Sequence, residues 1–337
     1  MKKTKFIFLK LNTYTIPFTF ILFTLFLIIF SKGNMLAVKS ALELLLNSVI
    51  PSLFPFFVAT ELLHSTNLIN NFGNILNKFM KPLFNVPGEG AFALIMGIIS
   101  GYPIGAKIVS DFKCKNICTS EECERLLAFT NNSGPLFIVG TVGIGFFGDV
   151  RTGFLLLFTH ILACISVGIC FRFWKSKRNA FSYIPSSQYR SYNPTVSFSN
   201  LGEIISGSIM SAIRSTALVC GFIILFSVVC SILNNIFSLL NISNPYVTSF
   251  ITSLFEVTNG LHMLSTIKTK AISINIILTS FLLSLGGICI FLQVLSITSK
   301  NNISIKTYIA GKLLQACFAS LYTFLILNNF RFFNLNL

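Results

Sequence analysis

The chain has 337 residues, of which 53% are hydrophobic and 10% charged, with a mean hydropathy of +0.78. A soluble domain carries about 25% charged residues, so this composition excludes a water-soluble globular protein and points to the membrane class. The net charge of +15 does not mark a nucleic-acid binder. The Lys and Arg sit mostly at the ends of apolar runs, and no basic groove interleaved with aromatics is present.

Lys2, Lys3, Lys5 and Lys10 precede an apolar run over 14–31. The run is long, and Ser31-Lys32-Gly33 is a poor small-residue cleavage site, so residues 1–32 read as a basic region and an uncleaved first span. Residues 33–50 read as an amphipathic helix, with Leu36, Leu42, Leu45, Leu46 and Val49 opposing Lys39, Glu43 and Asn47. The apolar segment from Pro51 to Leu63 carries Pro51 and Pro55 and falls short of the roughly 20 residues needed to cross. A helical segment near 68–84 follows, then a run over 90–109 interrupted by Ser100-Gly101-Tyr102-Pro103-Ile104-Gly105. Residues 111–128 form a charged hairpin in which Thr119 or Ser120 caps a helix ahead of Glu121, Glu122 and Glu124. Asn131-Asn132-Ser133-Gly134-Pro135 opens the run 135–148, and a span over 152–173 closes the first half.

A basic linker over 174–200 separates this half from the next. There the pattern restarts with a polar amphipathic stretch, 201–214, and apolar runs near 215–240, 246–264, 271–298 and 305–330, before a short tail at 331–337. The expectation is an all-α polytopic membrane protein of about eight transmembrane helices, some broken or re-entrant. Basic residues place the N-terminus and the linker in the cytoplasm, so an even number of crossings separates them. Five apolar segments lie in that interval, so one must fail to cross. The short 51–64 segment is the first choice for a re-entrant element and 135–148 the second.

The interruptions carry the functional signal. Gly and Pro unwind a helix, and unwound backbone at membrane depth survives only where protein buries it or it lines a polar cavity. The second half repeats the first (residues 33–173) over 201–330, with Glu256-Val257-Thr258-Asn259-Gly260 and Leu285-Gly286-Gly287 in place of the first pair of breaks. The offsets are nearly equal, from 101 to 256 and from 133 to 286. Matching interrupted helices in two halves point to a transporter site. A plain Pro kink at 101–103 and a tight turn outside the bilayer at 131–135 are the competing readings.

Gly101-Tyr102-Pro103-Ile104-Gly105-Ala106-Lys107, Asn132-Ser133-Gly134-Pro135-Leu136-Phe137-Ile138-Val139-Gly140-Thr141, Pro51-Ser52-Leu53-Phe54-Pro55-Phe56 and Glu256-Val257-Thr258-Asn259-Gly260 together resemble the sporulation integral membrane proteins of the YlbJ type. The resemblance spans roughly residues 35–330. It implies a Gate, or nucleoside-recognition, domain in an endospore-forming bacterium. It also implies movement of dipicolinic acid from the mother cell across the outer forespore membrane. The implied partners are the lipid bilayer and a small anionic substrate, with a second copy of the chain or other sporulation membrane proteins as further possibilities.

For such an anion, Pro103 and Pro135 are placed to start half-helices, and helix N-termini attract negative charge. Gly101, Tyr102, Gly105, Asn131, Asn132, Ser133, Gly134 and Thr141 complete the first half of the expected site, and Gly286, Gly287 and Gln293 belong to the second. Lys107 is the nearest full cation, or else it snorkels to the interface. Glu256 is an acid inside an apolar run, and such residues are functional candidates by default. Three roles are open to it: a coupling-ion site with Thr258, Asn259 and Gly260, a structural lock on Lys107 or Arg214, or an interfacial position.

No enzyme is expected. His64, His160 and His262 have no paired metal spacing and no nucleophile motif beside them, and there is no P-loop. Cys114, Cys118 and Cys123 lack the spacing of a metal site. No cofactor is called for.

Overall fold

The computed structural model describes residues 2–64, 68–175, 200–268 and 272–329. Most of the 174–200 linker and the 331–337 tail lie outside the described residues. Secondary structure among the described residues is helical throughout, as the hydrophobic patterning requires for a chain in lipid.

Helix α1 (Lys2–Ile29) turns at Phe30 into α2 (Ser31–Leu44), with a bend of 93° between the segments 17–29 and 31–47. A π-helical stretch, Leu45–Val49, carries α2 directly into α3 (Ile50–His64). The prolines at 51 and 55 therefore do not isolate a re-entrant segment, and the expectation for 51–64 is not met: α3 continues α2 and lies along α9 (Leu201–Leu239). Between them come α4 (Leu68–Phe84), α5 (Gly90–Ile99), α6 (Ile104–Cys114) and α7 (Ser120–Thr130). Thr119 caps α7 in a full capping box with Glu122.

A second π-helix, Leu136–Phe146, follows the break after α7, and α8 (Val150–Phe171) is capped by Asp149. After α9 come α10 (Pro245–Phe255), α11 (Val257–Ser265), α12 (Ile272–Leu285), α13 (Gly287–Thr298) and α14 (Lys306–Asn329). Four stretches are long and apolar enough to cross a bilayer: Val150–Phe171, Leu201–Leu239, Ile272–Asn301 and Lys306–Asn329; the bent pair of α1 and α2 adds a fifth.

Two segments fold back on themselves. In α5–α6 a methyl built on Gly97 would come within 3.3 Å of Gly105 Cα, although eight residues separate them. In α10–α11 one built on Gly260 would fall 2.4 Å from Ser253 Cα. A straight helix would hold such residues more than about 10 Å apart, so both segments are hairpins. Their arms contain 10, 11, 11 and 9 residues, or about 13–17 Å each at 1.5 Å per residue. That is close to half a hydrocarbon core of about 30 Å. By contrast, α7 with its following π-helix, and α12 with α13, do not fold back across their breaks. The order hairpin, interrupted helix, long helix therefore occurs twice: α5–α6, α7–π-helix, α8, and then α10–α11, α12–α13, α14. Within the first half the hairpin with two short arms is 90–114, and the run 135–148 turns back onto α8, where a methyl on Gly143 would lie 2.4 Å from Gly153 Cα.

The long helix α14 packs on α8, α12 and α7 and ties the halves together. Small residues allow this approach, as is usual between membrane helices. Ala316 and Ala319 are fully buried, and a methyl on Gly311 would lie 2.3 Å from the Ala128 carbonyl oxygen.

Candidate functional site

Each hairpin tip is pressed against a helix break. At the first, Gly101 has φ +82, and a Cβ there would lie 2.8 Å from Gly134 N. Only glycine adopts that backbone without strain and admits that approach. The arms clasp the end of α7: methyls on Gly97 and Gly105 would fall 1.8 and 2.1 Å from the Thr130 carbonyl oxygen. At the second, Gly287 has φ +73, and a Cβ there would lie 2.8 Å from the Ser253 carbonyl oxygen. Gly286 is left-handed as well, with φ +87.

The two tip–break pairs converge. The Tyr102 phenol in the first tip lies in the electrostatic reach of Ser133 in the first break, Glu256 in the second tip, Cys289 on α13 and Tyr308 on α14. Ser133 Oγ faces this phenol without meeting hydrogen-bond geometry. Asn131 Nδ2 donates to Tyr308 Oη at 3.3 Å. Five elements distant in sequence thus contribute to one polar centre.

His160 on α8 joins the breaks through one ring. The Ser133 amide donates to its Nε2 at 3.3 Å, and Gln315 Nε2 approaches the same atom at 3.5 Å. With donors on Nε2, the ring proton is assigned to Nδ1, which donates to Ser284 Oγ at 2.8 Å, two residues before Gly286. Gln315 on α14 also donates to Asn132 Oδ1 at 2.9 Å. The seam continues through Thr323, whose hydroxyl meets Thr159 at 3.1 Å and Ser280 at 2.9 Å.

Glu256 is buried at its tip and caps α11. Its Oε1 accepts from the Thr258 amide at 2.9 Å and its Oε2 from the Asn259 amide at 2.8 Å. A carboxylate at a helix N-terminus is stabilised by these donors and by the helix dipole. Thr258 and Asn259 therefore offer it amides first, and Gly260 is spent on closing the hairpin against Ser253. No lock on Lys107 or Arg214 forms: Arg214 is exposed on α9, and Lys107 pairs with Glu61 on α3.

The remaining expected residues divide. Gly101, Tyr102, Pro103, Ser133, Gly134 and Pro135 stand at the first tip and break. Asn132 is wholly buried and engaged by Phe129 O, Cys164 and Gln315, so it serves to hold the break. Lys107 leaves the centre, hydrogen-bonded also to Ser211 and Ser215 of α9. Thr141 is half-buried further along the π-helix. Gln293 is buried on α13, with Nε2 at 3.5 Å from Cys289 Sγ and Oε1 unpartnered. Sequence reasoning passed over Tyr308, Lys312, Gln315, Ser284 and the pairing role of His160. The available signal was the set of polar residues inside the apolar runs 152–173, 271–298 and 305–330.

Two hairpins whose tips meet breaks in two interrupted helices define a multi-pass membrane protein of the transporter-like kind. The profile of the Gate family, described as nucleoside recognition, matches residues 46–169, which include the first hairpin, the first break and most of α8. The chain is 31% identical to the sporulation integral membrane protein YlbJ of Bacillus subtilis (strain 168), over 94% of this chain and 83% of that protein. The chain belongs to the YlbJ family of sporulation integral membrane proteins. No solved structure matches it.

Proposed function

We propose that this protein is a transporter that moves dipicolinic acid from the mother cell across the outer forespore membrane, with its N-terminus in the cytoplasm. The substrate is held where the two hairpin tips meet the two breaks. The observation that carries this reading is the joining of the two breaks: the Ser133 amide and Ser284 Oγ meet the two nitrogens of the His160 ring, and Asn131 in the first break donates to Tyr308 on α14. Half-length hairpin arms bring such a centre near the membrane midplane, where transporter sites are built from interrupted helices. The first break contributes helix N-termini suited to an anion, and Tyr102 contributes a ring suited to a planar one. Glu256 is the proposed coupling site, since no Lys or Arg among the described residues forms an ion pair with it and the Thr258 and Asn259 amides hold it in place.

The Gate description favours a second reading, a nucleoside as cargo. One experiment separates the two: uptake of labelled dipicolinate beside labelled uridine into liposomes holding the purified protein, with and without a proton or sodium gradient. Dipicolinate uptake that uridine does not inhibit is expected. Uridine uptake in its place would transfer the site to nucleosides.

A further inference from the structure

Lys312 is the one charge in the polar seam that the site described above does not use. Tyr308, Lys312, Gln315 and Thr323 fall on the buried stripe of α14, at spacings that stack them along one face. Lys312 is 5% exposed, and its ammonium has a single partner, the neutral Oε1 of Gln315 at 2.9 Å. The ion pairs among the described residues are Lys107 with Glu61 and Lys175 with Glu124. No carboxylate therefore stands opposite Lys312. Glu256 does not fill the role: it caps α11 at the second tip and makes no ion pair with Lys312. A buried ammonium without a counter-charge is strongly disfavoured, so the protein is arranged for an opposite charge that it does not itself carry.

The surroundings have the same polarity. Gly311 presses α14 onto the Ala128 carbonyl, which sets Lys312 beside the last turn of α7, just ahead of the first break. Gln315 connects the ammonium to Asn132 in that break at 2.9 Å. Thr130 Oγ1 at the end of α7 and Ser133 Oγ in the break are buried without a hydrogen-bond partner, and both can donate. The first amides of the helix that begins at Pro135 have no acceptor within that helix. The cation is thus tied through Gln315 to the first break, whose residues carry free donors.

We propose that Lys312 is the counter-charge for a carboxylate of the transported molecule, bound at the first break with the Thr130 and Ser133 hydroxyls. This rests on the anion-transport reading and deepens it, because it requires the ligand to carry a carboxylate. An uncharged nucleoside would leave the ammonium unpaired.

The test uses the full-length protein in detergent and follows its thermal unfolding against acetate, malonate, pyridine-2,6-dicarboxylate and the neutral pyridine-2,6-dicarboxamide. The carboxylates are expected to stabilise the wild type and the diamide to do so far less. Lys312→Gln should weaken pyridine-2,6-dicarboxylate binding by about tenfold or more, the cost of losing a charged partner, and Lys312→Arg should stay close to wild type. Gln315→Glu, nearly isosteric, supplies an internal carboxylate beside Lys312 and should weaken the dicarboxylate similarly; it decides the matter if Lys312→Gln fails to fold. Wild-type affinity in the folded Lys312→Gln or Gln315→Glu protein overturns the proposal, as does a wild type that no carboxylate stabilises. Stabilisation by acetate or malonate but not by pyridine-2,6-dicarboxylate, lost in Lys312→Gln, would keep Lys312 as the anion site and remove dipicolinate as the cargo.

Discussion

Gly97→Ala adds one methyl between the first hairpin and the end of α7. That methyl would lie 1.8 Å from the Thr130 carbonyl oxygen and 3.3 Å from Gly105 Cα. Both neighbours are backbone, so neither can rotate out of the way. Overpacking of this kind costs about 1–3 kcal/mol, and replacing a helical Gly by Ala returns about 0.5–1 kcal/mol. The net expectation is a loss of about 0–2.5 kcal/mol, toward the upper end for a contact this close, with the first tip displaced from Gly134. Gly221→Ala on α9 is the matched control, because nothing lies within 4 Å of the added methyl. There only the helical gain of about 0.5–1 kcal/mol remains. Thermal unfolding in detergent should therefore shift in opposite directions for the two variants, and dipicolinate uptake in liposomes should fall only for the first: Gly97→Ala melts earlier and transports less, while Gly221→Ala melts slightly later and transports normally. If the two variants behave alike, the clasp of α7 by the first hairpin does not have the geometry described.

Three further expectations follow from the same contacts. Glu256→Gln leaves one acceptor oxygen where two accepted amides, so the melting midpoint should fall by the equivalent of about 1.5–3 kcal/mol, and an imposed proton or sodium gradient should no longer stimulate uptake; stimulation that survives places the coupling site elsewhere. The Lys107–Glu61 pair is partly exposed, with side chains 22% and 19% accessible, so a double-mutant cycle with Lys107→Met and Glu61→Gln should give a coupling of about 1 kcal/mol; strictly additive losses would mean that the pair does not bind α6 to α3. Burial raises the Asp149 carboxyl, and hydrogen bonds from the Thr152 hydroxyl and the Arg151 and Thr152 amides together outweigh this and hold it below the usual range. A depressed carboxyl contributes stability above its unfolded pKa of about 3.9, and the contribution is lost as pH falls through the lower folded value. Amide-exchange protection in the first turn of α8 should drop in that window, and the same drop in Asp149→Asn would show that the cap is not its cause.

The breaks were legible in the sequence because their cause is local. Gly101, Pro103, Gly134, Pro135 and the Gly286-Gly287 pair act through their own backbones, and the near-equal offsets exposed the repeat. Whether a break is a fold-back or an interruption was not legible. That depends on what packs between the arms: Thr130 between Gly97 and Gly105 in one half, and Ser253 against Gly260 in the other. The segment 51–64 looked re-entrant from its length and its two prolines, since its continuity with α2 runs through a π-helical stretch that no pattern of apolar residues announces. Glu256 stood out as a lone acid, but its partners proved to be amides two and three residues away. Lys107 was placed in the site because of its nearness to Tyr102 in sequence, and Glu61 on α3 claims it instead. His160 was visible only as an isolated histidine, because the groups that give it meaning, Ser133 and Ser284, are brought to it by the fold.

The central claim is that substrate occupies the place where the tips and breaks meet. It is tested most directly by introducing Ser133→Cys into a protein whose nine native cysteines have been replaced by serine, and following its labelling by a small thiol-reactive reagent in proteoliposomes. Dipicolinate should slow the labelling in a concentration-dependent way, and uridine should not. Labelling at the same rate with and without saturating dipicolinate, in a variant that still transports it, would contradict the assignment.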